Sequence, residues 1–107
     1  MDVEIALGRF FSPKDEGRFF QALKENKAIT NMEGAGVNLI VSLEMKKLSN
    51  GELKDFLAVL YRYQIPLAPL YFLADRKRFS WLNDSRKYWF DSLFDETKRT
   101  RSRLCGD

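Results

Sequence analysis

The residues best equipped for chemistry lie in the last third of the chain. Lys98, Arg99, Arg101 and Arg103, with Arg76, Lys77 and Arg78 upstream, could contact phosphates and support nucleic-acid binding. The simpler reading is a solvated helix end whose cations complement the negative end of the dipole. Residues 1–74 carry nine Lys/Arg and nine Asp/Glu, whereas residues 75–107 carry nine and six, so the whole net charge of +3 arises in this last part. Asp91, Asp95 and Glu96 dilute the cations.

The same third holds both tryptophans, in the group Phe79, Trp81, Leu82, Tyr88, Trp89, Phe90 and Phe94. Trp, Tyr and Arg are the side chains over-represented at binding hot spots. The candidate partner-binding residues are therefore Tyr71, Arg76, Arg78, Trp81, Tyr88 and Trp89, although aromatics at helical spacing are more often core.

Other chemistry is bounded by what the chain lacks. It has no histidine, which removes the commonest general base and the commonest zinc ligand. Its single cysteine, Cys105, allows neither an internal disulfide nor a cysteine cluster. Asp75, Asp84, Asp91, Asp95 and Glu96 do not have calcium-loop spacing. Gly34-Ala35-Gly36 precedes a strand, whereas phosphate-cradling loops precede a helix. No catalytic residues, metal site or cofactor are expected. No apolar run approaches the roughly 18 residues of a membrane helix. Met1-Asp2-Val3-Glu4 has no secretory pattern, so a cytoplasmic setting is the expectation.

The elements that must position these side chains follow from periodicity. Val3, Ile5 and Leu7 alternate as in a strand. Ser12-Pro13 with Asp15 and Glu16 starts a helix over 13–25, striped by Phe19, Phe20 and Leu23, and Asn26 stops it. Residues 28–33 have weak strand character, and the glycines beyond them suggest a hairpin into a strand from Val37 to about Glu44. Ser49 and Glu52 have capping-box spacing ahead of Leu53, Phe56, Leu57, Leu60 and Tyr61, the best amphipathic stripe in the chain. Leu67 to Ala74, apolar on both faces, reads as a further strand, and residues 85–98 read as a last helix.

The fold class expected is α+β, ferredoxin-like, in the order βαββαβ with an extra C-terminal helix. The alternative is a small three-layer α/β fold with order βαβαβα and parallel strands. Residues 1–107 are expected to form a single domain, with residues 99–107 a frayed basic tail. In the ferredoxin-like order Val3, Ile5, Leu7, Val37, Leu39, Val41 and Leu43 would face the helices. The opposite sheet face would carry Ala6, Ile40 and two large residues of segment 67–74, too apolar to leave in water. The last helix, a second copy or another partner would have to cover it. The central strands have no aromatic, which argues against base stacking on the sheet.

The functional expectation is a small non-enzymatic protein-interaction module, binding a protein partner or forming a homodimer. Bacterial immunity and antitoxin proteins, or a regulatory protein, are compatible classes: such proteins are single domains of this length without catalytic motifs. The basic excess would suit an acidic partner and not a basic nuclease toxin. The alternative is a nucleic-acid-binding domain using Lys98, Arg99, Arg101 and Arg103; no membrane partner is expected.

Overall fold

The computed structural model describes residues 1–7 and 13–95. Strand β1 (Asp2–Ala6) is followed by helix α1 (Pro13–Glu25), β2 (Ile29–Ala35), β3 (Asn38–Leu43), helix α2 (Asn50–Arg62) and the four-residue helix α3 (Phe90–Leu93). Short 3₁₀ segments lie at Met45–Lys47, Ala68–Asp75 and Lys77–Asn83. The fold is therefore α+β, with a three-stranded antiparallel sheet in the order β1-β3-β2.

Two expectations about topology are corrected. The stretch Leu67 to Ala74 is not a fourth strand, so the ferredoxin-like order is not confirmed. All strand pairs are antiparallel, which excludes the parallel three-layer alternative among the described residues. The physical reason for the first correction lies in Pro66 and Pro69. Pro69 sits in the first turn of the 3₁₀ segment, where its missing N–H is not needed. Ala68, Pro69, Leu70, Leu73 and Ala74 are all buried. Tyr71 and Phe72 between them are half-buried, so the segment carries no polar stripe before Asp75 and its sequence has neither strand nor helix period.

The sheet sends one face into the core. Val3, Ile5, Leu39, Val41 and Leu43 meet Phe19 and Leu23 of α1, Leu53, Phe56, Leu57 and Leu60 of α2, and Leu67, Leu70 and Leu73 of the 3₁₀ segment in one apolar cluster. The other face is polar, which removes the apolar-face problem. Asp2 lies opposite Ser42, and Ile40 is flanked by Glu4 and Glu33. Ser42 Oγ donates to Asp2 (2.8 Å) and Asn38 Nδ2 to Glu4 (2.7 Å). Ile40 is only 8% exposed beneath this polar lattice.

Local chemistry explains the elements. Strand β2 has a bulge between Ile29 and Asn31, and the extra residue brings both Ile29 and Met32 onto the core side. Their spacing of three hid the strand from a period-two reading. Gly36 turns the β2–β3 hairpin with φ of +62°, as a tight hairpin requires at its first turn position. Val37, expected in the core, is instead the second turn residue and 81% exposed.

Helix α2 is capped by Ser49, whose Oγ accepts from the Glu52 N–H (3.2 Å). The Glu52 carboxylate turns away from the box and accepts from the Lys27 N–H (3.1 Å), tying the two helices together. Asn26, buried at the end of α1, donates through Nδ2 to the Glu52 carbonyl (2.9 Å) and accepts from the Ala28 N–H (3.0 Å).

The far end of α2 closes in a Schellman motif. The Gln64 N–H donates to Tyr61 O (3.0 Å) and the Ile65 N–H to Leu60 O (2.8 Å), the bonds that satisfy two orphan carbonyls. Gln64 has φ of +60°, the one positive φ outside glycine among the described residues. Glycine adopts this geometry without a Cβ penalty. Gln64→Gly is expected to raise stability by about 1 kcal/mol. An unchanged or lower urea midpoint would contradict this reading of the turn.

Residues 85–89 are turns, and helix structure begins at Phe90 rather than Ser85. Asp84 Oδ1 accepts from the Arg86 N–H (3.0 Å), which fixes a local turn in place of a helical start. Residues 96–98 of the expected helix lie outside the described residues, as does the tail 99–107.

Candidate functional site

The side chains of the last third form a row against the outer side of α2. Asn50, Lys54 and Tyr61 share that side of the helix, at spacings of one and two turns. The Trp81 indole N–H donates to Asn50 Oδ1 (3.0 Å), and Lys54 Nζ lies 5.3 Å from the Trp81 ring centre. Trp81 meets Trp89 edge-on at 5.3 Å, Trp89 meets Tyr88 at 5.2 Å, and Tyr88 meets Tyr61 at 4.7 Å. The row thus follows α2 from Asn50 to Tyr61, about 16 Å at 1.5 Å per residue.

The row is graded in depth. Trp89 is 7% exposed and its indole N–H donates to Leu82 O (3.1 Å), so it is a core anchor with its polar atom satisfied. Trp81 is half-buried. Tyr61 and Tyr88 are 52% and 45% exposed, the two most exposed aromatics among the described residues. A groove of about 630 Å³ begins at Tyr61 and runs past Arg62, Gln64, Ile65, Pro66 and Asp91. One wall is therefore the strained turn at Gln64.

The electrostatics are local. Asp84 and Arg86 form an exposed ion pair at 3.1 Å. The Arg86 side chain and backbone hydrogen bonds hold the Asp84 carboxyl below its ordinary value, and Asp84 raises the Arg86 guanidinium in return. Such an exposed pair contributes little to stability. Lys54 is exposed over the Trp81 ring, Lys87 is exposed next to Tyr88 in the chain, and Arg62 is exposed at the groove that Asp91 and Asp95 also line.

Burial, and secondarily the charge of Tyr61, push the Tyr88 phenol above its ordinary value of 10.0. A raised folded value means that the contribution to stability is complete below the ordinary tyrosine range. It is lost as pH rises from that range through the raised folded value. Absorbance titration of the phenolate is expected to show one tyrosine ionising late, with stability falling alongside it. Tyr88→Phe should remove both effects; persistence of the late phase in that variant would contradict the assignment.

Of the residues singled out in the sequence, Trp81, Tyr88 and Trp89 come together. Arg78 stands near one end: its guanidinium lies 4.5 Å from the ring centre of Phe79, which meets Trp81 at 6.3 Å, and it donates to Met45 O. Tyr71 sits half-buried on the 68–75 segment, edge-on to Phe72 at 6.4 Å. Arg76 is exposed between the two 3₁₀ segments. Lys98, Arg99, Arg101 and Arg103 lie outside the described residues. After Ala74 the described residues hold five Lys/Arg and four Asp/Glu, a nearly balanced surface.

Sequence reasoning missed Tyr61, Lys54 and Asn50. Tyr61 falls on the apolar stripe of α2, where a core position is the natural expectation. The available signal was Lys54 two turns earlier on the same side, which marks the stripe's solvent edge. Among the described residues there is no group of three or more His, Cys, Asp or Glu placed to hold a metal ion, and no helix is long and apolar enough to cross a membrane. No family model, no curated protein and no solved structure matches the chain.

Proposed function

We propose that the protein is a small non-enzymatic interaction module. Its docking surface is the aromatic row along α2, with Tyr61 and Tyr88 as contact residues. The carrying observation is that tyrosine pair: two large rings packed on each other, half in water, on a rigid base of Trp89 and Trp81. A preorganised aromatic pair loses little freedom on binding, which is why such residues dominate interface energies.

The partner is a different protein whose rim carries carboxylates. Lys54 lies over the Trp81 ring, Lys87 adjoins Tyr88 in the chain, and Arg62 lines the groove at Tyr61, which Asp91 and Asp95 also line. Pairing the row with its own copy across a two-fold axis would bring these cations together, whereas an acidic rim would complement them. The polar sheet face, with Asp2, Glu4 and Glu33, supports a solvated surface rather than an interface.

Paired affinity capture from host extract tests the reading. Wild type and the Tyr61→Ser/Tyr88→Ser variant would be compared at two salt concentrations. An acidic protein retained by wild type, weakened by salt and lost with the variant would agree with it. Equal retention by both forms, or a concentration-dependent homodimer that accounts for all association, would refute it.

A further inference from the structure

The Tyr61–Tyr88 contact has a chemical capacity that does not depend on any partner. We infer that this pair is a site of oxidative cross-linking, at which a peroxide-driven one-electron oxidant joins α2 to the segment preceding α3 through a dityrosine bond. The rings lie 4.7 Å apart between centres, tilted by 59°, so ring carbons are within contact distance without rearrangement of the backbone. Both rings are about half exposed, at 52% and 45%, and open to an oxidant. Tyr63, by comparison, packs its ring on buried Phe19 at 5.5 Å.

The step balances with hydrogen peroxide as oxidant and a haem peroxidase as catalyst. Each phenol gives up one electron and its O–H proton, leaving two neutral phenoxyl radicals. A carbon–carbon bond forms between the positions ortho to the two oxygens. The hydrogens on those carbons move to the oxygens as the rings regain aromaticity. The O–O bond of the peroxide breaks, and its oxygens leave as two waters with the protons and electrons removed. Burial of the Tyr88 phenol favours its protonated form, so its O–H proton is lost in the oxidation and not before it. Trp89, 5.2 Å from Tyr88, and Trp81, 5.3 Å beyond, extend the row of oxidisable rings along α2. An electron vacancy formed on buried Trp89 has Tyr88 beside it as an outlet towards the surface.

The bond would close a loop over residues 61–88. Loop closure restricts the unfolded chain, as a disulfide does, and is expected to raise the melting temperature by about 10 °C.

The test uses dilute purified protein with a haem peroxidase and one equivalent of hydrogen peroxide. The expected product is a monomer lighter by two hydrogens, with dityrosine fluorescence and a mapped link between Tyr61 and Tyr88. Tyr61→Phe and Tyr88→Phe, which keep the ring packing, should each reduce the monomer's fluorescence to background. Fluorescence confined to covalent dimers, a link mapped to other residues, or an undiminished signal in either Phe variant would overturn the inference.

Discussion

Leu70→Asp is expected to abolish cooperative folding. Leu70 has no exposed surface and sits in the 3₁₀ segment as part of the main apolar cluster, with residues of the sheet and α2. Removing its side chain alone would cost about 2–5 kcal/mol. Placing a carboxylate there adds a desolvation cost of several kcal/mol. The sum is comparable to the whole stability of a small domain, about 5–15 kcal/mol. Had segment 67–74 been a strand with one face open, alternate positions in it would accept a charge. The companion substitution Phe72→Asp, at a half-buried position of the same segment, should cost less. A cooperative urea transition for Leu70→Asp close to that of wild type would contradict the placement of the segment in the core.

The second large effect concerns binding rather than stability. Tyr61→Ala and Tyr88→Ala are each expected to weaken partner binding by at least about 2 kcal/mol, roughly 30-fold, the range of a hot-spot residue. Their cost to folding should be smaller, because both rings are about half exposed and an aromatic pair contributes about 0.5–1.5 kcal/mol beyond area burial. Trp89→Ala is the contrasting case. At 7% exposure, with its N–H bonded to Leu82 O, it should lose about 3–5 kcal/mol of stability and affect binding through loss of the folded state. Circular dichroism melts beside titration calorimetry separate the two classes. Tyrosine variants that lose stability and affinity in equal measure would move the pair from surface to core.

Much of the first two thirds was legible because local signals agreed there. Pro13, the early acids and the Phe19/Leu23 stripe marked α1 over the same residues that the structure gives. Ser49 and the Leu53–Leu60 stripe marked the start and the core face of α2. Strand β3 needed no alternation, because its apolar run Leu39-Ile40-Val41 stood out on its own. What failed has particular causes. Strand β2 was faint because the bulge at Thr30 sets its inward residues three apart. Segment 67–74 misled because its residues are all buried or half-buried, which leaves no polar stripe from which element type is read. Gln64 gave no warning of its left-handed turn, since glycine or asparagine is the usual mark. The site was half legible: Trp81, Tyr88 and Trp89 were visible as an aromatic group, but Tyr61 joined them only through a contact between distant segments that no local pattern encodes.

The most direct measurement is the partner's affinity for two variants on different surfaces of the domain. Tyr61→Ala/Tyr88→Ala removes the aromatic pair, and Glu33→Ala alters the polar sheet face next to Ile40. With both variants shown to be folded, the aromatic row as docking surface predicts at least a roughly 100-fold rise in Kd for the first, about 2.7 kcal/mol, and wild-type affinity for the second. Wild-type affinity for the tyrosine variant together with a loss for Glu33→Ala would contradict it and place the interface on the sheet.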